Sequence, residues 1–323
     1  MIFATVSTLN YLYKAEILAK SIKEQHPKAR VIVCLIEKEI HPDVKKVPYF
    51  DGIILAKDLG IDDFNRYIFK YDAAEAAWAL KSQILKYLLK NEKDHSEFVY
   101  LDSDIRLYSP FVEIESILKN NPIVLTPHDI ENGPSRVYLL NGIFNAGFVG
   151  ITRSKEAKKF IRWWAKKVTH YCYRDRNLSL YDDQGWLKLV PTYFKTYILR
   201  HPGYNIAFWN FHERNLKLSI NNEYTVNDIY PLRFFHHSQH LTYLKDSVKK
   251  ANNEILQHIY FQYTEELKQA ALLPLSSEPW SYDFFNDGSQ IEKISRRNFL
   301  KSPHLQNQHN PFTLSNKKLT IKQ

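Results

Sequence analysis

The chain has 323 residues, a formal net charge of +9, and 44% apolar against 24% charged side chains, the balance of a globular protein with room for one large α/β domain with additions or two small ones. No apolar run approaches the ~18 residues that mark a membrane-spanning helix, and the opening "MIFATVS" has neither the charged start nor the cleavage site of a signal peptide. Two cysteines, Cys34 and Cys172, give neither a disulfide framework nor metal-ligand spacing, so a reducing cytoplasm is the expected compartment.

Ile2–Ser7 reads as a short buried strand, and Tyr11, Ala15, Leu18 and Ile22 recur at helical spacing after it. "HPKAR" breaks that helix, and "VIVCLI" (31–36) is apolar throughout, as strands covered on both faces are. "GIILA" (52–56) is a third strand. Leu80, Ile84, Tyr87 and Leu88 mark one face of a helix ending near Lys90, and "FVYLD" (98–102) is the next buried strand. "PIVLTP" (122–127) and "GFVGI" (147–151) add two more. Ser154 caps a helix with Ala157, Phe160, Ile161, Trp164 and Val168 on its apolar face, and a last helix runs near 254–270. Strand and helix alternate through the first 125 residues, which predicts a mostly parallel sheet with helices on both faces, a Rossmann-like α/β layer suited to a nucleotide. The expected organisation is a catalytic layer over 1–240, a helical extension packed on it over 241–297, and a flexible tail over 298–323. From Ser295 onward the chain carries Arg296, Arg297, Lys301, Lys317, Lys318 and Lys322 and no acid. A solvated end or a contact with anionic lipid head groups fits that charge; no motif for nucleic acid accompanies it.

The chain has no G-x-G-x-x-G and no G-x-x-x-x-G-K-[ST], and only nine glycines, so backbone amides are not its main means of neutralising phosphate. A divalent ion held by carboxylates is the alternative. "EFVYLDSDIRLYSP" (97–110) supplies the carboxylates: Asp102 ends a buried strand, where ligands of open α/β sheets bind, and Asp104 follows two residues on. In an extended segment i and i+2 project the same way, so the pair can converge on one hard cation; a solvated turn is the plain alternative. Aspartyl-phosphate chemistry also uses D-x-D, but Arg106 stands where that chemistry requires threonine.

Together, "FVYLDSDIRLY", "FNAGFVGI" (144–151) and "DDQGWLKLV" (182–190), in this order, resemble the nucleotide-sugar glycosyltransferases of the GT-A fold, in particular the glycogenin and galactosyltransferase-like group, family 8. The opening "STLNYLYKAEILAKSI" and "ALKSQIL" (79–85) agree with that resemblance. "HPGYNIAFWNFHER" (201–214), "PLRFFHHSQ" (231–239) and "WSYDFFNDGSQI" (280–291) are similar to bacterial glycosyltransferases of polysaccharide gene clusters. The matches span roughly residues 1–297. The His-x-x-Gly-x-x-Lys pattern of family 8 is not reproduced at "HHSQH" (236–240).

The resemblance implies a nucleoside-diphosphate sugar as donor, a glycan or lipid-linked acceptor, and Mn²⁺ or Mg²⁺ as cofactor. Asp102, Asp104 and His236 are the implied metal ligands. Thr5, Ser7, Tyr11, Lys81, Asp102, Ser103, Asn145, Ala146 and Gly147 are the implied donor-binding residues, with Tyr11 at the base and Lys81 facing donor charge. Asp183 and Gln184 are the implied catalytic pair, with Asp182 as the helix N-cap. Each has a plain alternative: His236 packed among aromatics, Lys81 solvated, Asn145–Gly147 a tight turn before the strand, the aspartates mere caps. His236 and His240 also have the i, i+4 spacing of a zinc pair. Glu213 and Arg214, after Phe208, Trp209 and Phe211, are expected on the acceptor side. The expected reaction is sugar transfer with retention in cell-surface polysaccharide synthesis. A sugar nucleotidyltransferase, or a non-catalytic glycan- or lipid-binding protein of the same fold, are the alternatives. The first would carry a glycine-rich loop that "VSTLNYLYKAE" lacks, and the second would have lost the carboxylates or the D-Q pair.

Overall fold

The computed structural model describes residues 1–131, 136–238, 241–308 and 310–319. In chain order the strands are β1 (Ile2–Ser7), β2 (Arg30–Leu35), β3 (Gly52–Leu55), β4 (Glu97–Leu101), β5 (Ile105–Leu107), β6 (Ile123–Pro127), β7 (Phe144–Thr152), β8 (Tyr197–Ile198), β9 (Leu216–Leu218), β10 (Tyr224–Val226), β11 (Tyr230–Pro231) and β12 (Phe234–His236). The helices are α1 (Leu12–Gln25), α2 (Phe64–Phe69), α3 (Ala73–Asn91), α4 (Val112–Leu118), α5 (Arg136–Asn141), α6 (Lys155–Tyr171), α7 (Gln184–Leu187), α8 (Val190–Tyr193), α9 (Leu241–Ala251), α10 (Glu254–Gln269), α11 (Lys293–Lys301) and α12 (Pro303–Gln306).

Seven strands form one sheet in the order β3-β2-β1-β4-β7-β6-β8. The pairs β3–β2, β2–β1, β1–β4 and β6–β8 are parallel, while β7 runs antiparallel to both β4 and β6. The period-2 alternation of strand side chains splits the core. Ile2, Ala4, Phe98 and Tyr100 pack in the cluster that contains the buried faces of α3 and α6. Phe3, Val99 and Leu101 pack on the other side with residues of α1 and α4. Burial on both faces is why these strands read as continuous apolar runs.

Two local devices aim the site. A capping box starts α3, in which Asp72 accepts from the Glu75 amide at 3.0 Å and Glu75 from the Asp72 amide at 3.2 Å; it fixes the rotation of a helix that carries Trp78 and Lys81 three residues apart. The short strand β12 pairs antiparallel with β5, with His236 opposite Ile105, so a histidine late in the chain sits beside Asp104. The β5–β12 pair is gripped from behind by α10: Glu266 takes both Nε and Nη2 of Arg106, on β5, at 2.7 and 2.8 Å, and the buried ring of His237, just after β12, stacks on Tyr263 at 3.6 Å between centroids.

The segment expected as a flexible tail from residue 298 is packed through Leu319. Phe299 and Phe312 meet Phe69 edge-on at centroid distances of 5.0 and 5.1 Å, and Leu319 is buried in the same core. Two of the basic charges are consumed internally: Arg296 is buried and donates to the carbonyls of Phe69 and Tyr282 and to Asp283, and Arg297 pairs with Glu75. Composition alone favoured solvation, and three apolar side chains with a partner surface overrule it. Among the described residues no helix is long and apolar enough to cross a membrane. Phe312→Ala is expected to cost about 3–5 kcal/mol, read as an earlier urea midpoint with unchanged slope; a change below about 1 kcal/mol would mean the segment is detached in solution.

Candidate active site

Asp102 leaves β4 at the carboxyl edge of the sheet, with its amide donating to the Gly147 carbonyl at 2.9 Å. The aspartates converge across a turn, not an extended segment: the Ile105 amide donates to the Asp102 carbonyl at 3.1 Å. The Asp102 carboxylate accepts from the Tyr100 hydroxyl at 2.8 Å and meets the Lys81 ammonium at 3.0 Å. His236 Nε2 lies 3.0 Å from Asp104 Oδ1 and 3.9 Å from Asp102 Oδ2. One ligand atom from each of Asp102, Asp104 and His236 falls within 4.8 Å of the others, a group that could hold a metal ion. Two carboxylates and an imidazole suit Mn²⁺ or Mg²⁺. The packing around the group leaves no slack: a Cβ on Gly147 would stand 2.6 Å from His236 Cε1 and 3.0 Å from Asp102 Oδ2. His240 and the zinc pairing lie outside the described residues.

Asn145, Ala146 and Gly147 lie within β7 and not in a turn before it. Asn145 Oδ1 accepts from the Gly147 amide at 3.0 Å, and its Nδ2 reaches His128 Nε2 at 3.4 Å. The opposite nitrogen, His128 Nδ1, is 2.9 Å from the Ile143 carbonyl, which assigns the proton to Nδ1 and leaves Nε2 as acceptor for the amide. Burial depresses the His128 pKa to about 4, so the neutral ring persists near neutrality.

Lys81 is buried between two acids, 3.0 Å from Asp102 and 3.4 Å from Asp183. Burial alone would lower its pKa; the Asp102 and Asp183 charges more than offset that and hold the ammonium well above the usual lysine range. Asp104 is half-buried, and desolvation would raise its carboxyl, but the His236 imidazole and, more weakly, Lys14 pull it below the ordinary aspartate range. Asp183, 2% exposed, is pushed up to about 7 by burial, against Lys81 and with Asp182 and Asp102 adding to the rise. Asp183 occupies the N-cap position of α7 but makes no capping bond; Asp182 supplies it, accepting from the Gln184 amide at 3.0 Å. Asp182 sits at φ 39, a strained setting for a non-glycine residue, and its other oxygen accepts Nε and Nη2 of Arg174 at 3.1 and 3.0 Å. Gln184 Nε2 donates to the Asn141 carbonyl at 2.8 Å, beside Gly142, whose φ of +97 and 2.9 Å clearance to the Gln184 carbonyl require glycine.

Two clefts meet at this junction. One, of about 500 Å³, contains Ser7, Tyr11, Trp78, Ser103 and Asp283 at its edges. The other, of about 480 Å³, contains His128, Tyr138, Asn145, Arg174, Gln184 and Trp209. Trp78, Lys81, Asp102 and Asp104 line both. Thr5 and Ala146 line neither: Thr5 is buried inside β1, and Ala146 offers its carbonyl to Lys81 at 3.4 Å. Glu213 also stays outside the clefts and accepts from the Ile130 amide at 3.0 Å and the Glu131 amide at 2.9 Å, with Arg214 beside it at 3.0 Å. Trp78, His128, Tyr138 and Arg174 were not anticipated. His128 just follows the carboxyl end of β6, the place where ligands of such sheets bind, so the same rule that found Asp102 could have found it; Trp78 precedes Lys81 by one helical step. Arg174 stacks over Trp78 and Tyr181 at 4.6 and 4.4 Å, a placement with no local signal.

No protein-family model matches the sequence. A curated relative, the "Uncharacterized protein YfnD" of Bacillus subtilis (strain 168), is 24% identical over 243 residues, 73% of this chain and 76% of the relative. Among solved structures, the galactosyltransferase LgtC in complex with donor and acceptor sugar analogs aligns with a TM-score of 0.54 at 14% identity, over 84% of this chain and 96% of LgtC. An active-site mutant of LgtC aligns over the same shares with a TM-score of 0.53. The chain therefore has the GT-A fold, a mixed α/β architecture with a mostly parallel seven-stranded sheet.

Asp183 gives a testable sign. Its carboxyl moves from an ordinary 3.8 up to about 7 on folding, so the stability it contributes is full below the unfolded value and is lost as pH rises through about 7. Asp183→Asn removes that loss. The melting temperature of the variant relative to the parent is expected to climb between pH 5 and pH 8; a constant difference would contradict the shift.

Proposed function

We propose that the protein is a metal-dependent glycosyltransferase that moves a sugar from a nucleoside-diphosphate sugar to a hydroxyl of a glycan or lipid-linked acceptor, with retention of configuration. The setting we propose is cell-surface polysaccharide synthesis on the cytoplasmic side of the membrane. The observation that carries this reading is the Asp102–Asp104–His236 group at the seam of two clefts. A diphosphate laid at that seam would have its nucleoside on the Ser7–Tyr11 side and its sugar on the Asn145–Gln184 side. The fold shared with LgtC, a galactosyltransferase solved with donor and acceptor sugar analogs, supports the transferase reading.

Asp102, Asp104 and His236 would hold the ion, which supplies positive charge to the departing diphosphate. Lys81, kept protonated by Asp102 and Asp183, adds a second fixed charge beside it. Such preorganised charge acts most where charge develops, in the transition state. The sugar acquires oxocarbenium character as the anomeric bond stretches. Asn145, its amide oriented by His128, offers hydrogen bonds to sugar hydroxyls. The Gln184 amide nitrogen is committed to Asn141, which leaves its oxygen as the dipole's negative end for the electron-poor anomeric carbon. Retention is supported by Asp183 being paired with Lys81 at 3.4 Å, an engagement that a free base for backside attack would lack. A carboxyl pushed up to about 7 is the one feature that favours the inverting alternative, and the anomer of the product by NMR separates the two.

Incubation with UDP-, GDP- and dTDP-sugars plus Mn²⁺ is expected to release one nucleoside diphosphate, and chelation is expected to stop it. Asp104→Ala should lower the rate on the order of 100-fold or more. Absence of binding and turnover with every donor, or an Asp104→Ala variant that turns over normally, would exclude the transferase reading in favour of a non-catalytic binding protein.

A further inference from the structure

The chain's positive surplus is concentrated far from the basic end, where Arg296 and Arg297 are committed internally. Helix α6 carries Lys155, Lys158, Lys159, Arg162, Lys166 and Lys167 against a single acid, Glu156. Its buried residues, from Ala157 and Phe160 to Val168, form one face. At about 100° per residue, Lys155, Lys159, Arg162 and Lys166 fall in one stripe on the opposite face, and all four are exposed. A groove of about 500 Å³ joins this stripe to α3. Lys158 and Arg162 line it from α6, Lys86 and Lys90 from α3, and Lys93 from just beyond α3; Leu89 and Ile161 are its apolar part, and no acid lines it. Its remaining cation, Arg153, is committed to the carbonyls of Leu89, Glu92 and His95.

Among the described residues, Lys159 alone of the exposed cations on α3 and α6 pairs with an acid, Glu156 at 3.9 Å. A solvated helix face mixes both signs, with acids one turn away from bases. Here the spacing is the reverse. Lys155 and Lys159, Lys158 and Arg162, Arg162 and Lys166, and Lys86 and Lys90 each put like charges four residues apart, which works against the helix. An anionic partner would relieve that repulsion. Aromatic side chains flank the stripe toward the C-terminal half of α6. Trp163 meets Trp186 at 6.3 Å and Tyr193, 60% exposed, at 6.2 Å between centroids, and Tyr171, 45% exposed, meets Trp186 at 6.1 Å. Cations beside partly exposed Trp and Tyr are the composition of a surface that rests among lipid head groups. The 17 residues of α6 extend about 25 Å, a length that suits a plane of charge better than one small anion.

We infer that the outer face of α6, with the neighbouring end of α3, is a docking surface for a bilayer containing anionic phospholipid. The same helix reaches the active site. Trp164 Nε1 donates to the Asp183 carbonyl, and Trp186 Nε1 to the Tyr171 carbonyl, both at 3.2 Å. Gln184, two residues before Trp186, lines the sugar-side cleft. Docking along α6 therefore brings that cleft beside the head groups, where a lipid-linked acceptor presents its hydroxyl. This last consequence rests on the reading proposed above; the docking itself does not.

The test is co-sedimentation of the full chain with vesicles of phosphatidylcholine alone and of phosphatidylcholine mixed with phosphatidylglycerol. The parent is compared with the triple variant Lys158→Gln, Arg162→Gln, Lys166→Gln. The parent is expected to bind the mixed vesicles only, and salt is expected to release it. The triple variant is expected to bind on the order of 100-fold more weakly, about fivefold for each cation removed near an anionic surface. Its melting temperature is expected to be unchanged or higher, because the charges removed repel one another. A parent that ignores the mixed vesicles, a parent that binds both kinds equally, or a triple variant that binds like the parent overturns the docking role. So does a parent that binds soluble polyphosphate and no vesicle, which would make the partner a soluble polyanion. Donor turnover with Mn²⁺ needs no vesicle, so turnover without vesicle binding overturns the docking role and leaves the transferase reading standing.

Discussion

One carboxylate oxygen of Asp102 and one of Asp104 lie within 4.8 Å of each other, and charges that close repel by roughly 3 kcal/mol at an effective dielectric near 20. A surface salt bridge, at about 0–1 kcal/mol, could not hold them. The protein instead surrounds them with groups that are themselves buried and fixed. Lys81 and Tyr100 bind Asp102, His236 binds Asp104, and Gly147 gives up its side chain so that all of them fit. A cation between the carboxylates would complete this arrangement, and the rest of the fold can be understood as what keeps them facing each other.

That requirement reaches far along the chain. His236 enters through β12, whose register on β5 is set by backbone pairing. Behind it, Glu266 and Tyr263 of α10 clamp Arg106 and His237, so a helix with no residue in either cleft fixes the Asp102–Asp104–His236 group. Lys81 links three elements at once, tying α3 to the end of β4 and to the residue that starts α7. The burial that sharpens these charges also makes Asp183 uncomfortable, as expected where a site is organised for chemistry ahead of stability.

The strands and long helices were legible because their signals are local: apolar runs for a doubly covered sheet, 3.6-residue periodicity for α1, α3 and α6, a serine cap at Ser154 that accepts from the Ala157 amide. Asp102 and Asp104 were legible because they follow the end of such a strand; Asn145, Gly147, Asp183 and Gln184 were named through the family resemblance of their motifs, and Asn145 and Gly147 lie inside β7. What was not legible depends on convergence. Arg174 and Trp78 are far apart in sequence and stack only after α3 and the 172–183 segment fold together. The antiparallel direction of β7 leaves no mark in its composition. The basic end looked solvated because charge was counted without Leu319, buried in the main core, and without Phe299 and Phe312, whose partner Phe69 lies more than two hundred residues earlier. Thr5, expected at the donor, is inside β1, because a one-residue shift along a strand moves a side chain from the rim into the core.

The most direct measurement is anomalous diffraction from crystals grown with Mn²⁺ and a nucleoside diphosphate. The account predicts a single strong peak within ligand distance of Asp102, Asp104 and His236, with diphosphate oxygens completing its shell. Carboxylates of Asp102 and Asp104 turned to solvent, with the ion bound elsewhere or nowhere in the chain, would contradict it.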